Sequence, residues 1–175
     1  MAILKVLTAP DPILKKRSLP IDSVDDSVRK IMDDILETMY KKKGVGLAAN
    51  QVGILKRILV IDLQDDEDQR REKGFYPLFL VNPEITSFSE EVVEAEEGCL
   101  SLPETSVFVA RPKEVKVKYL DYDNNSRELS TGGWLARALQ HEIDHLNGRL
   151  LINHLSEIKR SVVIRKLTKI KRLSV

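Results

Sequence analysis

Cysteine is almost absent from this sequence: Cys99 is the only one, so no disulfide can form within the chain. A secreted protein of this size more often carries paired cysteines, so we expect a reducing, cytoplasmic location. Long apolar runs are also missing, since none approaches the roughly 18 residues of a membrane span. Lys5 interrupts the short apolar segment at the start of the chain. We therefore expect neither a membrane anchor nor a signal peptide.

An excess of charge of one sign is missing as well. The sequence has 28 basic and 27 acidic residues and a formal net charge of +1, which predicts no strong overall attraction to DNA or to anionic lipid. Apolar residues make up 42% of the 175 residues, an ordinary proportion for a protein with one hydrophobic core. No linker or repeat divides the chain, so we expect a single domain over residues 1–175.

Helical periodicity marks three segments of the sequence. Apolar residues recur every three or four positions over residues 24–40, with Asp22 and Ser23 as candidate N-caps and a lysine run followed by glycine at the end. A second helix is predicted over residues 134–147. A third, basic helix is predicted over residues 156–173.

Strand signals occupy the middle of the chain. Residues 58–61 and 78–81 are short apolar runs, and Asn82-Pro83 is expected to end the second. Residues 115–119 alternate between apolar residues and lysine, and the turn-forming residues 121–126 are expected to close a hairpin.

These elements predict an α+β fold in one domain. The expected order is an N-terminal helix, a strand-rich middle of antiparallel sheets, a central helix and a C-terminal helix. The charged residues 64–73 are interpreted as a solvated loop outside this framework.

The central helix carries an HExxH pattern at residues 141–145, within the segment QHEIDH at 140–145. His141 and His145 lie one turn apart on the same helix face, with Cβ atoms about 6 Å apart, so both imidazoles can bind one ion. Glu142 can place its carboxylate beside a water on that ion and act as a general acid/base. The pattern predicts a mononuclear metallohydrolase.

Such a site usually has three protein ligands and one open position for water. The longer zinc-protease pattern requires a third histidine at a position that Leu151 occupies here. His154 and Glu157 remain as alternatives for the third ligand. We favour Cys99, because a Cys/His₂ set with an open position suits Zn²⁺ or Fe²⁺.

Three segments resemble, in family order, the signature motifs of the peptide deformylases: GVGLAANQ at 44–51, EGCLS at 97–101 and QHEIDH at 140–145. The similarity runs from residue 8 to the final helix. It implies a bacterial-type enzyme that removes the N-formyl group from the N-terminal formyl-methionine of newly synthesised proteins. The single domain would then be catalytic and its location the bacterial cytoplasm.

The resemblance also implies roles for single residues. Cys99, His141 and His145 would bind one metal ion per chain, which in this family is physiologically Fe²⁺, with Zn²⁺, Ni²⁺ or Co²⁺ able to replace it. Glu142 would be the general acid/base as a metal-bound water attacks the formyl carbon. The oxyanion would be bound by Gln51 and by the backbone N–H of Leu100, groups of the kind that stabilise developing negative charge.

The resemblance also assigns residues to the substrate. Its backbone would pair as an added strand with Val45, Gly46 and Gly98. Its first methionine side chain would lie in a pocket formed by Trp134, Arg137 and Ala138. Arg137 would have to offer the aliphatic part of its side chain, and core packing is an equal alternative for Trp134. Ser106 stands where some relatives carry an arginine, which leaves the preference at later substrate positions open. Glu97 and Arg111 are expected to form an ion pair beside the site.

Similar bacterial enzymes with a basic C-terminal extension dock on the ribosome near the exit tunnel. The helix over residues 156–173 is therefore a candidate ribosome-binding element, with a solvated helix face as the alternative. Neither a membrane nor DNA is expected as a partner. Contacts with ribosomal RNA phosphates would make the binding strongly salt-dependent.

Two rival interpretations use the same HExxH helix. The first is a metalloprotease whose third ligand is Glu157 or His154. The second is a closed structural site in which His154 joins Cys99 and the two histidines as a fourth ligand. Both give His154 or Glu157 a place at the ion, so the position of these side chains discriminates between the rivals and the deformylase reading.

Overall fold

A computed structural model of the chain describes residues 1–64 and 74–174. Of the loop predicted over residues 64–73, all but Gln64 lies outside the described residues. The helices and strands of the described part are α1 (Asp26–Lys41), β1 (Gly46–Ala48), β2 (Ile58–Ile61), β3 (Leu78–Phe88), β4 (Val92–Cys99), β5 (Leu102–Pro112), β6 (Glu114–Leu120), β7 (Ser126–Gly132), α2 (Gly133–Leu146) and α3 (Glu157–Leu173). This order confirms the α+β fold class.

The first helix begins later than its candidate caps predicted. Asp25, not Asp22 or Ser23, is the N-cap, because its backbone is extended and its carboxylate accepts a hydrogen bond from the N–H of Val28 at 3.0 Å. The predicted end is confirmed, since the N–H of Gly44 bonds back to the carbonyl of Met39 at 2.9 Å.

Five strands form one antiparallel sheet in the order β1-β2-β3-β6-β7, with β1 at an edge. The predicted strands at 58–61 and 115–119 and the hairpin between β6 and β7 are confirmed. The predicted end of β3 at Asn82-Pro83 is wrong. The strand continues to Phe88, because Asn82 adopts a φ of 50° and the register shifts between Val81 and Glu84, which absorbs the proline in a bulge.

β4 and β5 form a separate two-stranded hairpin, and neither strand was predicted individually. Along most of β4 both faces are exposed, so the strand has no apolar alternation to reveal it. The three-residue strand β1 was not predicted from the sequence pattern either. Strand β1, at the edge of the sheet, and strand β4, in the hairpin, flank the candidate site.

Helix α2 packs its apolar face on the five-stranded sheet, where Leu135, Leu139 and Leu146 join Leu59 and Leu80 in a fully buried cluster. This packing directs the opposite side of α2, which carries His141 and His145, towards the β4–β5 hairpin. Helix α3 buries only one residue, Leu167, among its described residues. In the described part of the chain, no helix is long and apolar enough to cross a membrane.

Candidate metal centre

Three side chains from two elements converge beside α2. Cys99 lies at the end of β4, and His141 and His145 lie one turn apart on α2. His145 Nε2 is 3.3 Å from Cys99 Sγ and 3.3 Å from His141 Nε2. The three candidate ligand atoms all lie within 4.8 Å of one another. The structure thus brings together the three residues that the sequence predicted as ligands.

This spacing fits a single bound ion. Nitrogens about 2.0–2.1 Å from a tetrahedral metal lie about 3.3–3.4 Å apart, which is the separation of the two Nε2 atoms. Cys99 is not engaged in a disulfide, so its sulfur is available as a thiolate ligand. The donors therefore suit Zn²⁺, Fe²⁺ or a related divalent ion.

A cluster of buried charged residues holds the ring of His141 through its Nδ1 atom. Its Nδ1 lies 2.8 Å from Oε1 of Glu97, the arrangement that fixes the tautomer and leaves Nε2 free for a metal. Glu97 also accepts hydrogen bonds from Arg111 at 2.7 and 3.0 Å, which is the expected ion pair, and from Arg137 at 2.6 Å. Arg111 in turn reaches Asp144 at 3.0 Å.

These contacts determine the ionisation of Glu97. Burial alone would raise the pKa of its carboxyl group, but the hydrogen bonds from His141, Arg111 and Arg137 and the charge of Arg111 lower the pKa to about 2. The carboxylate is therefore charged at any ordinary pH, and it holds His141 and both guanidinium groups in fixed positions.

Glu142 lies on the cavity side of the candidate ligands. It is 5% exposed, and its Oε2 has no hydrogen-bond partner among the described residues. Burial raises the pKa of Glu142 to about 7, against the opposing charges of His141 and Arg111. A β-carbon on Gly46 would lie 2.6 Å from Oε1 of Glu142, so only glycine leaves room for the carboxylate at this position.

A cavity of about 560 Å³ opens in front of these groups. Its walls come from β1, β4 and α2. Gln51, Leu100 and Glu142 line this cavity. So do all six residues that the sequence assigned to the substrate: Val45, Gly46, Gly98, Trp134, Arg137 and Ala138.

The substrate residues differ in what they offer to the cavity. A β-carbon on Gly98 would meet open space, so another backbone has room to approach β4 there. Trp134 is 62% exposed, which excludes core packing for its ring. The guanidinium of Arg137 is turned away into bonds with Glu97 and the carbonyls of Val93 and Val109, as expected if only its stem faces the cavity.

Gln51 is held in one orientation beside the cysteine. Its Oε1 accepts the N–H of Ala48 at 2.9 Å, which directs Nε2 towards Ser101 Oγ at 3.0 Å and Cys99 Sγ at 3.5 Å. Sequence reasoning did not single out Ser101, which is fully buried. The signal available was its place within the EGCLS motif.

The alternative third ligands lie elsewhere. His154 Nε2 is 3.5 Å from a carboxylate oxygen of Asp144, and among the described residues only Cys99 groups with the two histidines. Glu157 is exposed in the first turn of α3. The arrangement thus favours the Cys/His₂ set over both rival interpretations.

A Cys/His₂ cluster spaced for one metal ion, a buried carboxylate with a raised pKa and an open cavity together fit a mononuclear metallohydrolase. Comparison with known proteins narrows this class. The family model described as polypeptide deformylase matches residues 3–161. Peptide deformylase 1 of Rickettsia conorii is 58% identical over 171 residues and covers 98% of both chains.

Solved structures agree with this match. Peptide deformylase of Ehrlichia chaffeensis in complex with actinonin superimposes with a TM-score of 0.92 at 44% identity, over 98% of this chain and 99% of the other. An inhibitor complex of the Plasmodium falciparum enzyme gives a TM-score of 0.81 at 33% identity, over 96% and 99%. The chain belongs to the peptide deformylase family. Its activity is the metal-dependent removal of the N-formyl group from newly synthesised proteins.

Proposed function

We propose that Cys99, His141 and His145 hold the metal ion of this deformylase and that Glu142 moves the proton in its reaction. The convergence of three ligand atoms within 4.8 Å, next to a buried carboxylate, is the observation that carries the proposal. When bound, the ion supplies Lewis acidity, which polarises the formyl group and makes water a nucleophile at neutral pH.

Glu142 is suited to accept a proton and then return it. A carboxyl group with a pKa of about 7 can take the proton of the attacking water and deliver it to the departing amine. Its unpartnered Oε2 is free to face the reacting atoms. Gly46 leaves the space in which the carboxylate lies.

Gln51 and Leu100 are proposed to stabilise the negative charge that develops on the formyl oxygen. The hydrogen bond from Ala48 to Oε1 of Gln51 fixes the amide so that its Nε2 donors face the site. The backbone N–H of Leu100, next to Cys99 along the cavity wall, is the second donor. Loss of one donor of this kind typically costs about 3 kcal/mol of transition-state stabilisation.

The substrate peptide is proposed to bind as a strand between β1 and β4. Gly46 begins the edge strand β1 and Val45 directly precedes it, and Gly98 belongs to the hairpin strand across the cavity. Main-chain hydrogen bonds of this kind hold a peptide irrespective of its sequence. Trp134, Ala138 and the stem of Arg137 would then enclose the first methionine side chain.

The physiological ion is proposed to be Fe²⁺, with Zn²⁺, Ni²⁺ or Co²⁺ able to occupy the same ligands. One thiolate and two imidazoles accept all of these ions, so availability decides between them. Anaerobic purification followed by metal analysis tests this proposal. Exposure of an Fe²⁺ enzyme to oxygen should inactivate it, because both the ion and the thiolate can be oxidised.

We also propose that the enzyme works in the bacterial cytoplasm as one catalytic domain and meets its substrates at the ribosome through α3. The net charge of +1 conceals a local excess of exposed lysine and arginine on this helix. Such a surface suits ribosomal RNA phosphates. A truncated enzyme that ends at Ser156 should lose ribosome affinity while keeping activity on a short formyl-peptide.

The decisive experiment compares four variants for metal content and for hydrolysis of formyl-Met-Ala-Ser. Cys99→Ser should lose the ion and the activity. Glu142→Gln should keep the ion and lose turnover. His154→Ala and Glu157→Gln are the matched controls, since each removes an alternative ligand and should change neither property.

Loss of the ion in either control, with retention in Cys99→Ser, would overturn the proposed ligand set and revive the protease interpretation. Actinonin provides an independent probe, because it occupies the related Ehrlichia chaffeensis enzyme. It should protect the wild-type enzyme and Glu142→Gln against thermal unfolding, and it should protect metal-free Cys99→Ser far less.

A further inference from the structure

The two histidines of the candidate centre are supported in different ways. His141 lies in the middle of α2 and its Nδ1 contacts Glu97 at 2.8 Å. His145 lies in the last turn, and its Nδ1 is buried with no partner in the described part of the protein. The last four carbonyls of a helix lack intrahelical partners, and helix ends fray. The position of His145 therefore depends on whatever holds its main chain.

Asn50 holds that main chain. Its side-chain Nδ2 donates a hydrogen bond to the backbone carbonyl of His145, across 95 positions in the sequence. Asn50 is completely buried, and its Oδ1 has no partner among the described atoms. Burying an amide oxygen without a partner costs free energy, so packing alone does not explain the residue.

The next carbonyl of α2 is held from two further directions. Leu146 accepts hydrogen bonds from the backbone N–H of Ser18 at 2.8 Å and from Arg57 at 3.1 Å. The last turn of α2 is thus fixed to the sheet side of the molecule by groups remote in sequence. The carbonyl of His145 itself accepts the backbone N–H of Gly148 at 2.9 Å, a contact local to the helix end. Asn50 is the side chain from a segment remote in sequence that also bonds to this carbonyl.

Asn50 also belongs to the turn that contacts the cysteine. The 3₁₀ turn Ala49–Val52 contains Asn50 and Gln51 side by side. Asn50 contacts His145, while Gln51 Nε2 lies 3.5 Å from Cys99 Sγ. One rigid turn therefore connects a ligand from α2 with a ligand from β4.

We infer that Asn50 is a positioning residue, which fixes the main chain of His145 and sets its Nε2 against Cys99 and His141. The inference rests on the proposed role of His145 as a ligand. Asn50 acts through His145 and touches neither the substrate nor the reacting atoms. Supporting groups of this kind typically contribute 10–100-fold to metal affinity.

The test measures metal binding apart from catalysis. For each variant, the unfolding temperature is measured in a chelator and with Co²⁺ in excess, and the Co²⁺ affinity is measured by chelator competition. The variants are Asn50→Ala and the isosteric Asn50→Asp, which keeps the volume but loses the Nδ2 donor. Thr38→Val is the matched control, because Thr38 is also fully buried but bonds to Leu4 and Asp34.

Asn50→Ala and Asn50→Asp should bind Co²⁺ about 10–100-fold more weakly, so the rise in unfolding temperature on metal addition shrinks. The thiolate-to-cobalt absorption should also shift as the ligand geometry changes. Thr38→Val should lower both unfolding temperatures and leave their difference unchanged. With saturating metal, the Asn50 variants should lose more in kcat than in KM.

A Co²⁺ affinity within twofold of wild type in both Asn50 variants overturns the inference. Cys99→Ser is measured alongside, so that a wrong role for Asn50 and a wrong ligand set give different results. If Cys99→Ser loses Co²⁺ while the Asn50 variants keep it, only the role of Asn50 is wrong. If Cys99→Ser also keeps Co²⁺, the proposed ligand set itself is wrong.

Discussion

Two regions of this protein are rich in charged residues, and they differ completely in what surrounds those charges. Between α2 and the β4–β5 hairpin, Glu97, Arg111 and Arg137 are 7%, 5% and 8% exposed, and both arginines donate hydrogen bonds to Glu97. On α3 the lysines and arginines mostly face solvent, and Leu167 is the only buried residue of that helix among those described.

The comparison shows that the effect of a charged residue on structure and stability depends on whether the charge is buried. A buried charge must be paired, because removing it from water costs several kcal/mol. It therefore fixes the geometry of its partners, here the imidazole of His141. A solvated charge on α3 is screened and contributes almost nothing to stability, which leaves it free for an external partner.

The largest expected effect is on the buried side. Arg111→Met keeps the volume but leaves Glu97 and Asp144 without their shared cation, so the free energy of unfolding should fall by about 3–5 kcal/mol. Denaturant unfolding of the metal-free protein measures it. The control is Lys116→Met, which breaks the exposed 2.6 Å pair with Glu128 and should cost about 0–1 kcal/mol. Equal losses would remove the distinction between the two regions.

The acid stability of the metal-free protein should report the same cluster. The folded-state pKa of Glu97 is about 2, against an ordinary value of 4.5 for a glutamate carboxyl group. A lowered folded pKa gives stability that is complete above the unfolded pKa and is lost as pH falls from about 4.5 to about 2. The shift corresponds to about 3 kcal/mol. Unfolding measured across this window should show a shallower pH slope in Glu97→Gln, and an unchanged slope would contradict the assignment.

A smaller effect is expected on the metal itself. Glu97→Gln keeps the shape of the side chain but removes the charged acceptor of His141 Nδ1, so metal affinity should fall about 10–100-fold. Chelator competition measures the affinity. Glu94→Gln, an exposed residue on the same strand, should leave it unchanged. A matching fall in both variants would show a general effect of negative charge on β4.

The smallest effect on the enzyme itself is expected on α3. Replacing the exposed Lys159, Arg165 and Lys169 with glutamine should change the free energy of unfolding by less than about 0.5 kcal/mol each. Activity on formyl-Met-Ala-Ser should not change. Cosedimentation with ribosomes should weaken and become less sensitive to salt. Ribosome binding that stays unchanged would leave α3 as a solvated helix face.

Much of the fold could be predicted from local sequence pattern. Apolar spacing and terminal residues predict helices α1, α2 and α3. Apolar runs or alternation predict strands β2 and β6. The predictions from sequence are wrong where a contact between residues distant in sequence overrides a local rule. Asn82-Pro83 should end a strand, but the amide of Asn82 bonds to the N–H and carbonyl of Ile21, at 2.8 and 2.6 Å, and β3 continues through a bulge.

The candidate ligands and Glu142 could be predicted because their spacing is local or their residue types are rare. His141, Glu142 and His145 share one helix, and Cys99 is the only thiol. The side chains that hold them could not be predicted in the same way. Asn50 and Ser101 are buried polar residues whose partners are distant in sequence, so no periodicity records them.

By itself, the sequence determined which atoms can bind a metal, because helical spacing and side-chain chemistry are properties of a few neighbouring residues. Only the tertiary structure decided that the sulfur of Cys99 meets the two imidazoles of α2, and that Glu97 and Asn50 stand behind them. Those contacts join separate segments, and they depend on how α2, the sheet and the β4–β5 hairpin pack around a common core.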